Sequence, residues 1–181
     1  KKAYPLHPNK IFISIRQICI TILIYPHFIF FLSKLLLLDM TIVYLIPGNL
    51  SSSNYGIKEI KRRENLLKKW AFPNSKIKVF DVPNGGSSIE STYEEIASII
   101  PAVDRLTELN KFENIEAAII GCFGDPGLDV FREMFDFPII GPAQATMHTA
   151  CQLGHNFSLI TIFDSMLSMG HKQVHEYGLN H

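Results

Sequence analysis

Cysteine is scarce in this chain: three among 181 residues, Cys19, Cys122 and Cys151, at irregular spacing. That is too few and too uneven for a disulfide framework, and the absence of any Cys-x-x-Cys pair argues against a metal knuckle. The seven histidines are scattered, so no metal site is expected. Neither charge sign is in excess, with 17 basic and 17 acidic residues, which leaves no electrostatic footprint for nucleic acid. No Gly-x-Gly-x-x-Gly follows the first strand pattern and no Walker sequence occurs, so the usual dinucleotide and nucleotide cradles are excluded. What remains is a metal-free, reduced, cytosolic protein. Its 47% hydrophobic content is enough to fill a core of one α/β domain, or one domain and part of another.

Residues 1–39 differ from the rest. From Ile11 to Leu38 the chain is nearly unbroken Ile, Phe and Leu, interrupted by Arg16, Gln17, Pro26-His27 and Ser33-Lys34. It shows neither a 3.6-residue nor a 2-residue period, so it is not an amphipathic surface element. The run approaches the roughly 20 residues that a bilayer span requires; a secretory signal fits less well, since no small-x-small cleavage site precedes Asp39. Met40 stands directly before a strong strand pattern. Residues 1–39 therefore read as a hydrophobic leader, either upstream translated sequence or a membrane anchor. From Met40 onward 12 basic and 16 acidic residues remain, the balance of a soluble domain.

Beyond Met40 strand and helix patterns alternate. Thr41–Ile46 is a β-branched run closed by Pro47-Gly48-Asn49. A helix follows with Ile57, Ile60, Leu67 and Trp70 at helical spacing. Ile77–Val82 is a second strand, closed by Pro83-Asn84-Gly85-Gly86. Ser88 or Ser91 caps a helix that carries Tyr93 to Leu109, which Pro101 should break or kink. Ala117–Gly121 is a third strand, followed by a helix over 129–134 in which Pro126 suits the first position. Phe137–Gly141 makes a fourth strand, Ala143–Leu153 a helix, Phe157–Ile162 a fifth strand, and 165–177 a weaker helical pattern. Strands without alternation, each followed by a helix, predict an α/β fold: a parallel sheet with helices on both faces.

Ligands of such sheets collect beyond the carboxyl ends of the strands. Four small, polar segments fall there: Pro47 to Ser51, Asn84 to Ser88, Cys122 to Asp125 and Gly141 to Gln144. Their backbone N–H groups near helix starts suit an anion or a polarised carbonyl. Cys122 is the reactive candidate, since a nearby helix N-terminus lowers a thiol toward neutral pH. The competing reading is a small buried hydrophobe, and spacing alone leaves both open. Cys151 reads as core, and His148 as a surface or structural histidine.

The segment Gly121-Cys122-Phe123-Gly124-Asp125-Pro126-Gly127-Leu128-Asp129 closely resembles the signature of hydantoin racemases in the aspartate/glutamate racemase superfamily. Gly86-Ser87-Ser88-Ile89-Glu90, Pro138-Ile139-Ile140-Gly141, Ala145-Thr146-Met147-His148 and Phe157-Ser158-Leu159-Ile160-Thr161 follow in that family's order. The resemblance covers 41 to about 177 and none of 1–39. It implies one lobe of a two-lobed fold plus the start of the second, so that 40–181 form an aspartate/glutamate racemase-like α/β domain that is incomplete at its C-terminus. It also implies cofactor-independent racemisation of hydantoin-, allantoin- or amino-acid-like compounds by two opposed cysteines. Cys122 takes the place of one, and Asn49, Ser51, Ser88, Phe123 and Gly124 are implied to orient the substrate. No cofactor and no metal are implied.

The chain departs from the family at Pro47-Gly48-Asn49, where Asn-Pro-Asn is usual, at Gln144, where glutamate is common, and at Ile162, where a threonine is common. The opposing cysteine is not found before His181. Two alternatives accompany the racemase reading: a single-cysteine decarboxylase of the same superfamily, and a non-catalytic remnant or binding domain. The partner expected is a small-molecule substrate rather than nucleic acid. A homo-oligomer is left open, and a membrane enters only if residues 11–38 are a genuine anchor.

Overall fold

Thr41, Ile42, Val43 and Ile46 make the first strand β-branched on both sides of the pleat, and such residues fit a surface buried between two layers. This strand, β1 (Met40–Ile46), lies inside the sheet. The computed structural model describes residues 40–179, so the leader read at 1–39 lies outside the described residues. On one side β1 pairs in parallel with β2 (Ser75–Asp81), placing Ile42 opposite Ile77 and Ile46 opposite Asp81. On the other it pairs in parallel with β3 (Ala117–Ile120), with Leu45 opposite Ile120. The two-residue β4 (Ile139–Ile140) completes the order β2-β1-β3-β4.

The helices are α1 (Gly56–Lys68), α2 (Thr92–Asn110), α3 (Leu128–Met134), α4 (Pro142–Leu153) and α5 (Leu167–Glu176). A 3-10 turn at Asp164–Met166 leads into α5. The chain steps from β1 outward to β2, then back across β1 to β3. With right-handed crossovers that reversal sends α1 and α2 to opposite faces. It also opens a crevice at the carboxyl ends of β1 and β3, where the connections diverge. The expected α/β architecture, a parallel sheet with flanking helices, is the one observed.

The core joins Val43 and Leu45 of β1 and Ile120 of β3 to Leu106 of α2 and Phe131 of α3, each no more than 2% exposed. Burying one such side chain is worth about 1.5–3 kcal/mol. Helix α2 begins with a capping box: Ser91 Oγ accepts the Glu94 N–H at 3.3 Å, and Glu94 Oε2 accepts the Glu90 N–H at 2.8 Å. These contacts hold the Glu94 carboxyl below the usual carboxylate range and satisfy donors that a helix start leaves unpaired. Among the described residues no helix is long and apolar enough to cross a membrane.

Several expectations need correction. Phe157–Ile162 is not a strand. Strand formation depends on a paired, half-buried surface, and the neighbouring edge offers only the two residues of β4; Ile160 and Ile162 stand 98% and 79% exposed. The fourth strand contracts from Phe137–Gly141 to Ile139–Ile140 for the same want of pairing. Pro101 neither ends nor divides α2, which runs through it as one element. The bond forfeited at its missing N–H is offset by burial of Ala102, Val103, Leu106 and Leu109 beyond it. Pro126 does not open a helix: Gly127, in the left-handed region at φ 69°, is the N-cap of α3. Helix α1 ends before Trp70 and buries no residue completely. Cys151 is exposed rather than core, because the last turn of α4 runs past the packed body, leaving Leu153 85% exposed.

Candidate active site

Two loops close over the carboxyl ends of β1 and β2. Gly48 accepts the Val82 N–H at 3.1 Å, and the Asn49 N–H donates to Gly86 at 2.8 Å. The approach is close enough that a Cβ on Gly48 would lie 2.8 Å from the Gly86 carbonyl oxygen, so glycine is required by contact rather than by backbone angle. Asn49 completes the link: its side-chain amide donates to the Pro83 carbonyl, while Oδ1 accepts the Ser52 N–H at 3.0 Å. The Ser51 N–H donates to Asp81 Oδ2 at 2.6 Å, and its hydroxyl lies 3.4 Å from Asn49 Oδ1. Ser88 donates to Glu90 at 2.6 Å. Asn49 and Ser51 thus bond within the loops, beside the cavity rather than free within it.

The cysteine loop is built just as tightly. The Gly121 N–H donates to the Leu45 carbonyl at 2.6 Å, and a Cβ on Gly121 would meet the Tyr44 ring at 2.5 Å. Asp125 turns the chain with a left-handed φ of 48° and returns its N–H to the Cys122 carbonyl at 3.1 Å. Its buried carboxylate accepts the Ala143 and Gln144 N–H groups at 3.0 and 2.8 Å. It therefore acts as the missing cap of α4, whose own N-cap is Gly141. The Tyr177 hydroxyl donates to the same carboxylate at 2.8 Å, and Gln173 Nε2 donates to the Phe123 carbonyl at 3.1 Å. Helix α5 is thereby fastened to the loop at two points.

Between the loops lies a cavity of about 220 Å³ at the β1/β3 crevice, walled by Pro47, Gly48, Arg63, Ser88, Gly121 and Cys122 among others. Cys122 is half-buried and unpaired. Burial is the largest influence on its thiol and pushes it above the ordinary value; the Gly124 N–H hydrogen bond opposes this, and the charges of Asp125 and Glu95 reinforce it. The expectation of a lowered thiol is thus reversed. The following helix starts only at Leu128, too far along the chain for its first turn to act on the sulfur.

Of the residues expected from the sequence, Cys122 and Ser88 wall one cavity, with Phe123 and Gly124 in the adjoining loop. Arg63, Tyr44, Asp125, Gln173 and Tyr177 are not among the residues the sequence singled out for a role. Burial pushes the Tyr44 phenol up, while the nearby positive charge of Arg63 opposes that shift. Only the position of Arg63 on the first crossover helix could have signalled it; Asp125 was visible as the acidic residue inside a glycine-rich turn. A larger cavity of about 490 Å³ lies at the amino end of β2, bordered by Glu64, Lys68 and Phe72, but holds no thiol and no converging loops. His171 and His175 stand one turn apart on α5, yet no group of three potential metal ligands forms among the described residues.

An open parallel sheet with a thiol and glycine-rich loops at its switch point defines the class: an α/β protein with a cavity beside Cys122 at the carboxyl ends of its strands. The chain belongs to the Asp/Glu/hydantoin racemase family, whose model matches residues 54–181. It is similar to a hydantoin racemase of Pseudomonas sp. (strain NS671), with 34% identity over 116 residues, covering 64% of this chain and 46% of that protein. A hydantoin racemase of Paenarthrobacter aurescens is 28% identical over 102 residues, covering 56% of this chain and 43% of the other. Among solved structures, an allantoin racemase from Klebsiella pneumoniae superposes with a TM-score of 0.69 at 25% identity, covering 77% of this chain and 54% of its own. An allantoin racemase from Pseudomonas fluorescens shares the fold, with a TM-score of 0.68 at 21% identity, covering 77% of this chain and 56% of its own. The chain spans about half the length of these relatives.

Proposed function

We propose that this chain serves cofactor-independent racemisation or isomerisation of amino acids or their derivatives, of hydantoin or allantoin type, with Cys122 moving the α-proton. The observation that carries this reading is the position of Cys122: a half-buried thiol in the wall of a cavity at the crevice between β1 and β3. A thiolate there takes the proton from a carbon beside a carbonyl, forming S–H, while the C–H electron pair moves onto the carbonyl oxygen. The Phe123 N–H is suited to hold that oxygen, joined by the Ser88 hydroxyl once it turns from Glu90, while the Gly124 N–H faces the sulfur. Asn49 and Ser51 serve by fixing the loop opposite. Racemisation also takes a proton donor on the other face of the carbon, and the Cys122 half can be read by itself through exchange with solvent. The reading goes with a small-molecule substrate and a cytoplasmic setting.

The test is incubation of the protein with a chiral 5-substituted hydantoin in D2O. Deuterium should enter at the α-carbon, and Cys122→Ser should lower the rate by about 10²–10⁴-fold, the usual worth of a positioned proton-transfer group. Exchange that persists unchanged in the serine variant overturns the role of Cys122.

One observation favours a second reading. Burial holds the thiol protonated beyond its ordinary range, which suits a proton donor. In a decarboxylase a malonate loses CO2, its C–C electron pair remains on the α-carbon, and the thiol proton quenches it. Release of CO2 from a substituted malonate, without deuterium exchange into hydantoins, would select this reading.

A further inference from the structure

Among the described residues that wall the Cys122 cavity, Arg63 is the single charged side chain. It projects from α1, and its Nε donates to Glu59 Oε1 at 3.0 Å. Glu59 is shared: Arg62 contacts both of its carboxylate oxygens, at 2.6 and 2.8 Å. Two guanidinium groups thus surround one carboxylate and hold it ionised, at about 2. The cluster keeps one net positive charge, and the Arg63 ion pair uses Nε alone. The charge of Arg63 also reaches the Tyr44 phenol, which it lowers against the effect of burial, and the Tyr44 ring packs on Gly121, the residue before Cys122. The guanidinium is therefore held by Glu59 through Nε, while its side chain stays about 32% exposed and forms part of the cavity wall.

The acidic groups near the thiol lie elsewhere. Glu95 and Asp125 border a separate cavity of about 430 Å³ beyond Gly124, together with Lys172, Gln173 and Tyr177. The Asp125 oxygens are occupied by the α4 N–H groups and by Tyr177. The Cys122 loop consequently separates a cationic cavity from an acidic one.

We infer that Arg63 is the anion-recognition residue of the Cys122 cavity, which takes a small carboxylate with one oxygen on the guanidinium and its α-carbon toward the sulfur. Resting on the reading of Cys122 as the proton-transfer group, this narrows the substrate to an open-chain acid, such as an N-carbamoyl amino acid, in preference to the corresponding neutral ring. A planar guanidinium with uncommitted N–H groups matches carboxylate geometry, as a neutral lactam does not.

The test alkylates the full chain with iodoacetate and iodoacetamide at one pH, with rates read by mass spectrometry at Cys122 and at the exposed Cys151. Using both reagents at one pH cancels the thiolate fraction. The iodoacetate-to-iodoacetamide ratio should be higher at Cys122 than at Cys151 by roughly three- to tenfold, the worth of one nearby charge in high dielectric. Arg63→Gln should bring the Cys122 ratio down to that of Cys151, while Arg63→Lys should keep most of it. In the unmodified protein, salt should shrink the ratio at Cys122, a readout that survives if the glutamine variant fails to fold. N-carbamoylalanine should protect Cys122 from iodoacetamide better than 5-methylhydantoin. Equal ratios at the two cysteines, or a Cys122 ratio indifferent to Arg63→Gln and to salt, would overturn the inference, as would equal protection by acid and ring. These outcomes are separate from the exchange assay, in which Cys122→Ser decides the proton-transfer role whether or not the cavity prefers anions.

Discussion

The phenol of Tyr177 donates to Asp125 Oδ2 across 2.8 Å, tying α5 to the loop that carries Cys122. Burial and the neighbouring carboxylate push that phenol well above its ordinary value, so it stays a donor throughout the working pH range. The same carboxylate caps α4, and one buried group thereby fixes three elements. Asp125→Asn sets an NH2 group against donors on one side. It should cost about 2–4 kcal/mol, because hydrogen bonds to a charged group are lost and buried N–H groups are left unpaired. Tyr177→Phe removes one donor and should cost about 1 kcal/mol. Urea midpoints read both, and equal losses would contradict the assignment of Asp125 as the shared centre.

Gly121→Ala should be more damaging than its solvent accessibility suggests. The new methyl group would fall 2.5 Å from Tyr44 Cε1 and 2.9 Å from the Leu45 carbonyl oxygen. A ring can shift, but a strand carbonyl cannot without disturbing β1. The expected loss is about 1–3 kcal/mol, and Tyr44→Ala in the same chain should recover only part of it. Full recovery in the double variant would show that the strand contact does not matter.

The parallel sheet was legible because β-branched runs such as Thr41–Ile46 and Ile77–Val82 end in glycine-rich turns at every crossover. Cys122 was legible because it follows the third run directly. Phe157–Ile162 misled because its composition is that of a strand, whereas strand formation is decided by a partner's free edge, which two residues of β4 do not provide. Pro101 misled because the rule against proline in helices weighs one lost bond and ignores the apolar face packed beyond it. Arg63 and Asp125 escaped as site residues since each acquires its role only through partners distant in sequence, Tyr44 for one and Ala143, Gln144 and Tyr177 for the other.

Ser91→Ala should shorten or fray α2 at its start. The hydroxyl accepts the Glu94 N–H and donates to Glu94 Oε2 at 2.9 Å, so the Glu94 N–H loses its acceptor while the Glu90 N–H keeps its bond to the Glu94 carboxylate. A loss of about 1 kcal/mol is expected, with hydrogen exchange accelerated in the first turn of α2 and unchanged in α4. Uniform acceleration across the sheet would point to global destabilisation instead.

Stability should fall with rising pH, and Cys122 should account for part of the fall. Its thiol is pushed up in the folded chain from an ordinary value of 9.0, chiefly by burial, so the unfolded chain releases this proton first as pH rises. The folded state therefore keeps its full advantage below the ordinary thiol range and loses it progressively above that range, until the folded thiol itself ionises. Tyr44 and Tyr177 shift in the same direction from 10.0, which places their contribution higher still and leaves pH 7 to 9.5 as the window for the thiol. Over that window unfolding free energy should drop by up to about 1 kcal/mol more in the unaltered protein than in Cys122→Ser, within the limit of 1.36 kcal/mol per unit set by one proton. The same shift governs chemistry: exchange that depends on the Cys122 thiolate should keep rising past pH 9 rather than levelling near neutrality. Parallel stability curves for the two proteins, together with an exchange rate that levels near pH 7, would show that burial does not control this thiol.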